Sequence, residues 1–526
     1  MVLKDKVLVC YFGSWAVYRP GAGKFDVEDI DPTICTHVIY EFSGLSKYEG
    51  VMVSLDPSND LYDHDGRGAF TRFTQLKVNN PNLKTLLAIG GWKEGSGKYS
   101  DMISNASSRK HFLENAVDFL KKYGFDGLDF DWQYPSQRGG KPEDKENFAA
   151  FLSDMRAIFD KHGLLMTAAV SPLKGTIDPA YDIPAMGKHL DLINVMCYDY
   201  HGSWDTVTGH HSPLYRNPLD YGDFVYSNIN FTMNYWIKNG APAEKLVMGV
   251  GLHGRTFTLS QEDKTGLYAP ASRPGTSGPY TREAGFIGYN EICEQKKAKP
   301  AAWTEERDEY IMAPYSYSGN QWIGYDDQES MKTKARFAIS LGLKGVMAWS
   351  IETDDFHGGC HGVNFPLLTA ILDGLNGGDV PTPPSPTSTV TPTSTVNPTS
   401  TVTPTSTVTP TSTVTPTSTV IPTGTVTPTS TVTTDHTSST ILPPGTTSTT
   451  SPGEICREPG IIPDTENCTA FYVCLYDGSG KLVVMHVICE GGLVFDPSLL
   501  TCNTPSNVPG CKDYYGRGTP TKPATE

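Results

Sequence analysis

No apolar run in this 526-residue chain approaches the roughly 18 residues that a membrane-spanning helix needs. Positive charge is also scarce. Forty-two lysines and arginines stand against 58 aspartates and glutamates, a formal net charge of -16. That balance argues against nucleic acid and anionic membrane as partners, because both are held by clustered cations. Hydrophobic residues make up 38% of the chain, few for a sequence that is globular throughout, so one segment is expected to build no core. No C-x-x-C pair occurs, which counts against a zinc finger. The opening "MVLKDKVLVCYFGSW" lacks the long apolar stretch of a secretory leader and reads directly as a strand. Three sequons (Asn105, Asn230, Asn467) and a dense cysteine cluster nevertheless point outward. The expectation is a secreted, extracellular protein whose signal peptide is absent from this sequence.

Composition divides the chain into parts. Residues 1–379 look globular. Residues 380–452 repeat "TPTSTV" with no aromatic residue and almost no charge. Such a tract cannot bury enough apolar surface to fold, so a disordered linker is expected. Proline favours extended polyproline-II backbone, which at about 3.1 Å per residue would reach on the order of 200 Å. Serine and threonine among the prolines read as a mucin-like O-glycosylated stalk, or as an unglycosylated tether. Residues 453–513 are rich in cysteine, and 514–526 form a tail.

The first part contains eight apolar, β-branched segments: "KVLVCYFGSW", "CTHVIYEFSG", "LKTLLAIGGW", "FDGLDFDWQYP", "LLMTAAVSP", "LDLINVMCYDYHG", "KLVMGVGLHGRTF" and "GVMAWSIETDDF". Most are separated by stretches of helical period, such as "KENFAAFLSDMRAIFDKHG". Continuous apolar strands alternating with helices indicate a covered parallel sheet. Eight units favour an α/β fold of the closed (β/α)8 TIM barrel type. About 65 residues between the last two segments, 256–322, are too many for one helix and predict a small α+β insertion domain.

In "GFDGLDFDWQYP" side chains alternate across a strand. With Leu128, Phe130 and Trp132 facing the helices, Asp129, Asp131 and Gln133 face the barrel axis. Barrel interiors are normally filled with branched apolar residues, and lining one with acids costs desolvation and repulsion. Neighbouring carboxylates shift one another's pKa, and that coupling can hold one acid protonated as a general acid requires. The position nearest the mouth carries Gln133. Aromatic residues fall at strand ends: Tyr11, Trp15, Phe42, Trp92, Tyr134, Trp204 and Trp349. Several at one end of a barrel suggest a groove for flat ligands such as sugar rings. "MCYDYHG" adds Met196, Tyr198 and Asp199, and Arg255 follows the seventh segment.

At this point the sequence resembles a family 18 glycoside hydrolase of the arthropod chitinase type. "FDGLDFDWQYP" is similar to the family's DGxDxDWEYP and "MCYDYHG" to its MxYDxxG. "LLAIGGW", "TREAGFIGYNEIC", "WIGYDD" and "GVMAWSIETDDF" extend the likeness over nearly all of 5–379. The resemblance implies endo-hydrolysis of β-1,4-linked N-acetylglucosamine with retention. In that reaction the substrate's own acetamide oxygen is the nucleophile. It makes position 133 the acid/base, with Asp131 orienting the acetamide, Asp129 supporting Asp131, and Tyr198 bonding the acetamide oxygen. Trp349 becomes the floor, Trp15, Trp92 and Trp204 flanking platforms, and Arg255 a sugar contact. No cofactor or metal is implied. The sequence departs at Gln133, which cannot deliver a proton. Removing such assistance forfeits about 10²–10⁴-fold. It departs also at Gly251 and His253, where the family has PxYGR, and at Glu41 in place of the small residue of YAF. Glu41 is expected on the helix-facing side of its strand.

By the same resemblance Cys10 pairs with Cys35 and Cys293 with Cys360, leaving Cys197 free. The six distal cysteines read as a disulfide scaffold. Their spacing, with "AFYVC" and "GLVFDPSLLTC", resembles a peritrophin-A type chitin-binding domain, a small disulfide-rich β domain. That likeness implies Cys456–Cys474, Cys468–Cys511 and Cys489–Cys502. Tyr472, Tyr476 and Phe495 could stack on sugars, although Phe495 is the one best suited to a small core. "GHHSPLY" reads as mouth structure rather than a metal pair.

Three functions stay open to this sequence, each with chitin or chitooligosaccharides as partner and the chain as a monomer. The first is a secreted chitin-binding protein on a chitinase scaffold, inactive or strongly impaired through Gln133. The second is an endochitinase in a glutamate-to-glutamine variant form. The third is a structural chitin-matrix adaptor.

Overall fold

A computed structural model describes residues 5–380 and, further on, 460–464, 467–476, 482–489, 494–496, 501–503 and 508. The chain divides into two compact units, Met1–Pro398 and Thr399–Glu526.

In the first unit the eight apolar segments form a closed parallel barrel. Strands β1 (Val7–Gly13) and β2 (His37–Leu45) pair side by side, with β3 (Met52–Ser54) folding back antiparallel on β2. The barrel continues through β4 (Lys84–Gly90), β5 (Gly127–Asp131), β6 (Leu165–Val170), β7 (Leu192–Val195) and β8 (Leu246–Gly251). The last of the eight strands in chain order, Gly345–Trp349, returns to pair with both β8 and β1. Alternation divides each strand's side chains between two layers. Leu8, Cys10 and Phe12 of β1 pack outward under the helices, while Val9 and Tyr11 point inward.

Helices cover the outer layer. The helix Ala106–Tyr123 starts at Asn105, whose side chain accepts the amide hydrogens of Ser107 and Ser108. It ends at Gly124 with φ 79°, a left-handed termination that glycine adopts without strain. Its Phe112 meets Phe130 of β5, and Phe148 and Phe151 of the helix Asp144–Phe159 close around the same ring. Deleting a ring packed in this way typically costs about 3–5 kcal/mol.

The expected insertion is present as a separate antiparallel sheet, but it begins earlier than residue 256. The seventh apolar segment breaks at Leu252 into β8 and β9 (His253–Leu259). With β10 (Ala271–Pro274), β11 (Phe286–Gly288), β12 (Thr304–Asp308), β13 (Ala313–Ser318) and β14 (Gln321–Gly324), β9 builds a sheet in the order β10-β9-β14-β13-β12, with β11 also on β9. The barrel strand Gly345–Trp349 is therefore β15. Leu252 donates its amide hydrogen to the Trp349 carbonyl at 2.7 Å, which stitches the corner to β15.

Disulfides join Cys10 to Cys35 and Cys293 to Cys360, as the resemblance implied. Closing loops of these lengths stabilises by about 3–4 kcal/mol each in the chain-entropy account. Cys197 is a free, buried thiol that burial pushes up to about 12.

The second unit holds a three-stranded antiparallel sheet, β16 (Gly460–Pro463), β17 (Ala470–Tyr476) and β18 (Leu482–Ile488), and a two-stranded one, β19 (Val494–Asp496) and β20 (Thr501–Asn503). Phe495 does not offer its face to a ligand. It is buried and stacked on Phe471 at 4.4 Å, because so small a domain needs its largest apolar rings for its own core. Tyr472 is half-buried, with its hydroxyl donating to Asp464 at 3.4 Å. Cys468 and Cys489 are disulfide-bonded. Their partners, the Cys456–Cys474 pairing, the side chain of Tyr476, the linker 381–452 and the tail 514–526 lie outside the described residues. Among the described residues no helix is long and apolar enough to cross a membrane.

Candidate active site at the barrel mouth

Strand β5 places its acids on the axis, as period two requires. Asp129 is fully buried and accepts three hydrogen bonds, from Tyr11 Oη at 2.9 Å, Thr167 Oγ1 at 2.5 Å and Asn194 Nδ2 at 3.2 Å. Burial raises its carboxyl to about 6, and these donors hold it back from rising further. Asp131 lies one strand repeat nearer the mouth. Burial, then the charge of Asp129, pushes it up to about 8, opposed by Gln133. The Gln133 Nε2 donates to both Asp131 oxygens, at 2.9 and 3.1 Å, and lies 3.9 Å from Met196 Sδ. The carboxyl pair thus holds a proton near neutrality, while the residue above it supplies an amide.

Around this column stand the aromatic residues. Trp15, Trp92 and Trp204 are exposed, unusual for so large an apolar ring, and Trp15 stacks on Phe42 at 6.0 Å. Arg138 lies over the Trp92 ring at 3.5 Å and Arg255 over Trp204 at 5.2 Å, which fixes both planes by cation–π contact. Trp349 is half-buried and parallel to Tyr198 at 6.1 Å, and the Tyr198 hydroxyl points to Met347 Sδ at 3.8 Å. Tyr134 is half-buried. Tyr11, expected among the groove aromatics, is 1% exposed and lies beneath the acids with its hydroxyl on Asp129.

Asp199 sits at φ 59° and receives Arg255 Nε at 2.8 Å, Arg255 Nη2 at 2.6 Å and His253 Nε2 at 3.0 Å. Burial would raise this carboxyl, but Arg255 first and then His253 oppose it and hold it well below the usual range. Arg255 and His253 both belong to β9, so the inserted sheet supplies one wall of the site.

Glu41 overturns its expected placement. It shares the inward face of β2 with Ile39, and both its carboxylate oxygens accept Trp349 Nε1 at 3.1 Å. Among the described residues the Trp349 indole is the side-chain partner that offsets the burial of this carboxyl group. Burial, then Asp131, raises its pKa well above the ordinary value. Thr167 and Asn194, which complete the cage around Asp129, were not singled out in the sequence. Both are polar residues at inward positions of otherwise apolar strands, which is the signal that would have found them.

A closed (β/α)8 barrel with a β9-type insertion and paired acids at the mouth of β5 defines a class of carbohydrate-active scaffold. The chain belongs to the glycosyl hydrolases family 18, whose model matches residues 7–354, and residues 456–511 match the chitin binding Peritrophin-A domain. It is 45% identical over 367 residues to "Probable chitinase 2" of Drosophila melanogaster, covering 68% of this chain and 74% of that one. Among solved structures it is similar to the Group IV chitinase of Ostrinia furnacalis in complex with allosamidin, at 45% identity and TM-score 0.68, over 71% of this chain and 99% of that one. It is also similar to human YKL-39, described as a pseudo-chitinase with retained chitooligosaccharide binding properties. That match has 37% identity and TM-score 0.65, over 71% of this chain and all of the other.

Proposed function

We propose that this protein is a secreted chitin-binding member of family 18 in which hydrolysis is lost or strongly impaired. The observation that carries the reading is the contact of Gln133 Nε2 with both oxygens of Asp131. A carboxylic acid at that position could share the proton of the buried pair and pass it to a leaving oxygen. An amide can only donate a hydrogen bond. The rest of the mouth favours recognition: three exposed tryptophans, Trp349 stacked on Tyr198, and Arg255 clamped on Asp199. The solved pseudo-chitinase shows that a relative of this scaffold can bind chitooligosaccharides. Two disulfides in the first unit support an oxidising, extracellular setting.

In this reading a chitin oligomer stacks on Trp15, Trp92, Trp204 and Trp349. The acetamide enters between Asp131 and Tyr198. Losing acid assistance leaves the barrier to glycoside cleavage higher by the equivalent of about 10²–10⁴ in rate. The test is hydrolysis of chitooligosaccharides by the parent chain and by Gln133→Glu, alongside oligomer affinity. The expected result is tight binding with little turnover in the parent and a gain of about 10²–10⁴-fold in the variant. Turnover by the parent equal to that of Gln133→Glu would sink the proposal.

A further inference from the structure

The motif "GHHSPLY" contains two adjacent histidines with opposite fates. His210 is spent on structure: its Nε2 donates to the Tyr325 carbonyl at 2.8 Å and its Nδ1 accepts the Ser212 amide hydrogen at 3.0 Å. His211 is fully buried, yet neither ring nitrogen has a hydrogen-bond partner. An unsatisfied buried polar group costs about 1–3 kcal/mol, so a buried imidazole with no protein partner at either nitrogen calls for a physical account. Its Nδ1 points at Asp199 Oδ1, 3.9 Å away, and the ring of His253 packs against it at 4.6 Å.

We propose that Asp199, His211 and His253 form a binding site for a divalent cation of borderline softness, with Zn²⁺ as the type. One ligand atom from each residue falls within 4.8 Å of the other two, and Asp199 Oδ1 to His253 Nε2 is 3.0 Å. Tetrahedral Zn²⁺ with bonds of about 2.0–2.1 Å sets its ligand atoms roughly 3.3 Å apart, so small side-chain rotations complete the set. Two imidazoles and a carboxylate are the donor types that such an ion takes, and a water fills the fourth position. The cation takes the place of the hydrogen between His253 Nε2 and Asp199 Oδ1, and the ring proton moves to His253 Nδ1, so the imidazole that binds the ion stays neutral. Neither nitrogen of the His211 ring is engaged by a protein donor or acceptor, so a lone pair on that ring is available to the ion. Arg255 opposes the ion by charge. It also pins both oxygens of Asp199, the orienting role that outer partners of metal ligands perform.

The two family departures near this site are one packing event. A Cβ at Gly251 would lie 2.5 Å from the His253 ring and 2.9 Å from the His211 ring. Glycine at 251 is therefore what lets the two imidazoles share the space. The inference does not depend on Gln133, although Asp199 and Arg255 also belong to the groove wall.

The experiment uses the full chain freed of metal by a chelator. Calorimetric titration with ZnCl2 is expected to show one site per chain. CoCl2 is expected to give the visible absorption of tetrahedral Co²⁺. His211→Asn and His253→Tyr, checked for folding by circular dichroism, are each expected to weaken Zn²⁺ by at least about tenfold. The His253 ring lies 5.2 Å from Trp349, so Co²⁺ bound here quenches that tryptophan. Quenching that disappears in Trp349→Phe locates the ion even where a histidine variant does not fold. Zn²⁺ affinity unchanged in the folded variants, or no tetrahedral Co²⁺ signal and no Trp349 quenching in the parent chain, overturns the proposal.

Discussion

At position 133 the choice between –NH2 and –OH decides whether the column Asp129–Asp131–133 can release a proton outward. Position 41 carries the complementary lesson. Its carboxylate is the acceptor for the Trp349 indole, so Glu41→Ala leaves that buried N–H without a partner, at a cost of about 1–3 kcal/mol. Glu41→Gln keeps an acceptor. We expect Glu41→Ala to shift tryptophan emission and weaken oligomer binding, while Glu41→Gln stays close to the parent. Fluorescence and affinity on the three chains check this. A strict period of two made the inward places of Asp129 and Asp131 legible from sequence. The same rule places Glu41 on the inward face beside Ile39, not on the helix-facing side that was expected of it. The partner that offsets the cost comes from residue 349, about 300 positions away, and no local pattern displays it. His211 is a related case, read from "GHHSPLY" as mouth structure beside His210. Its neighbours in space are His253 and Asp199 rather than His210's partners.

At the scale of one strand, β5 concentrates buried acid. Asp131 rises from an ordinary 3.8 to about 8. The folded chain therefore binds this proton more tightly than the unfolded chain does. For this group stability is greatest below about pH 4 and is lost progressively as pH rises to about 8. Asp131→Asn removes the titration and keeps an oxygen to accept from Gln133. Thermal melts at pH 4, 6 and 8 are expected to show the variant several degrees above the parent at pH 8 and near it at pH 4. Asp199 works with the opposite sign, since its carboxyl is held low by Arg255 and His253 and its contribution fades in acid. Strand existence was legible because apolar residues dominate most of the eight segments, while in β5 Leu128 and Phe130 alternate with acids. The break between β8 and β9 was not, since apolar residues run on through Leu252 and only the change of partner, from β15 to β14, marks the new sheet.

For the whole molecule, the fold class follows from counting: eight alternating units close a barrel, while a cysteine cluster beyond a proline-rich tract signals a second domain. If that second domain is a chitin anchor, removing residues 453–526 lowers retention on insoluble chitin and leaves affinity for soluble oligomers unchanged. A tether gains its effect from effective concentration at a surface rather than from new contacts in the groove. Pull-down on particulate chitin and calorimetry with oligomers, on the full and shortened chains, read the two quantities separately.

The corner at Leu252 bears on how such a groove meets a polymer. One residue separates a barrel strand from the sheet that carries His253 and Arg255, and its amide is bonded to the end of β15. That join has no slack and no lever arm. The wall of the cleft and its floor thus share a single-residue corner. In the chitin-binding reading, a sugar chain meets a wall joined to the barrel by one residue and one hydrogen bond.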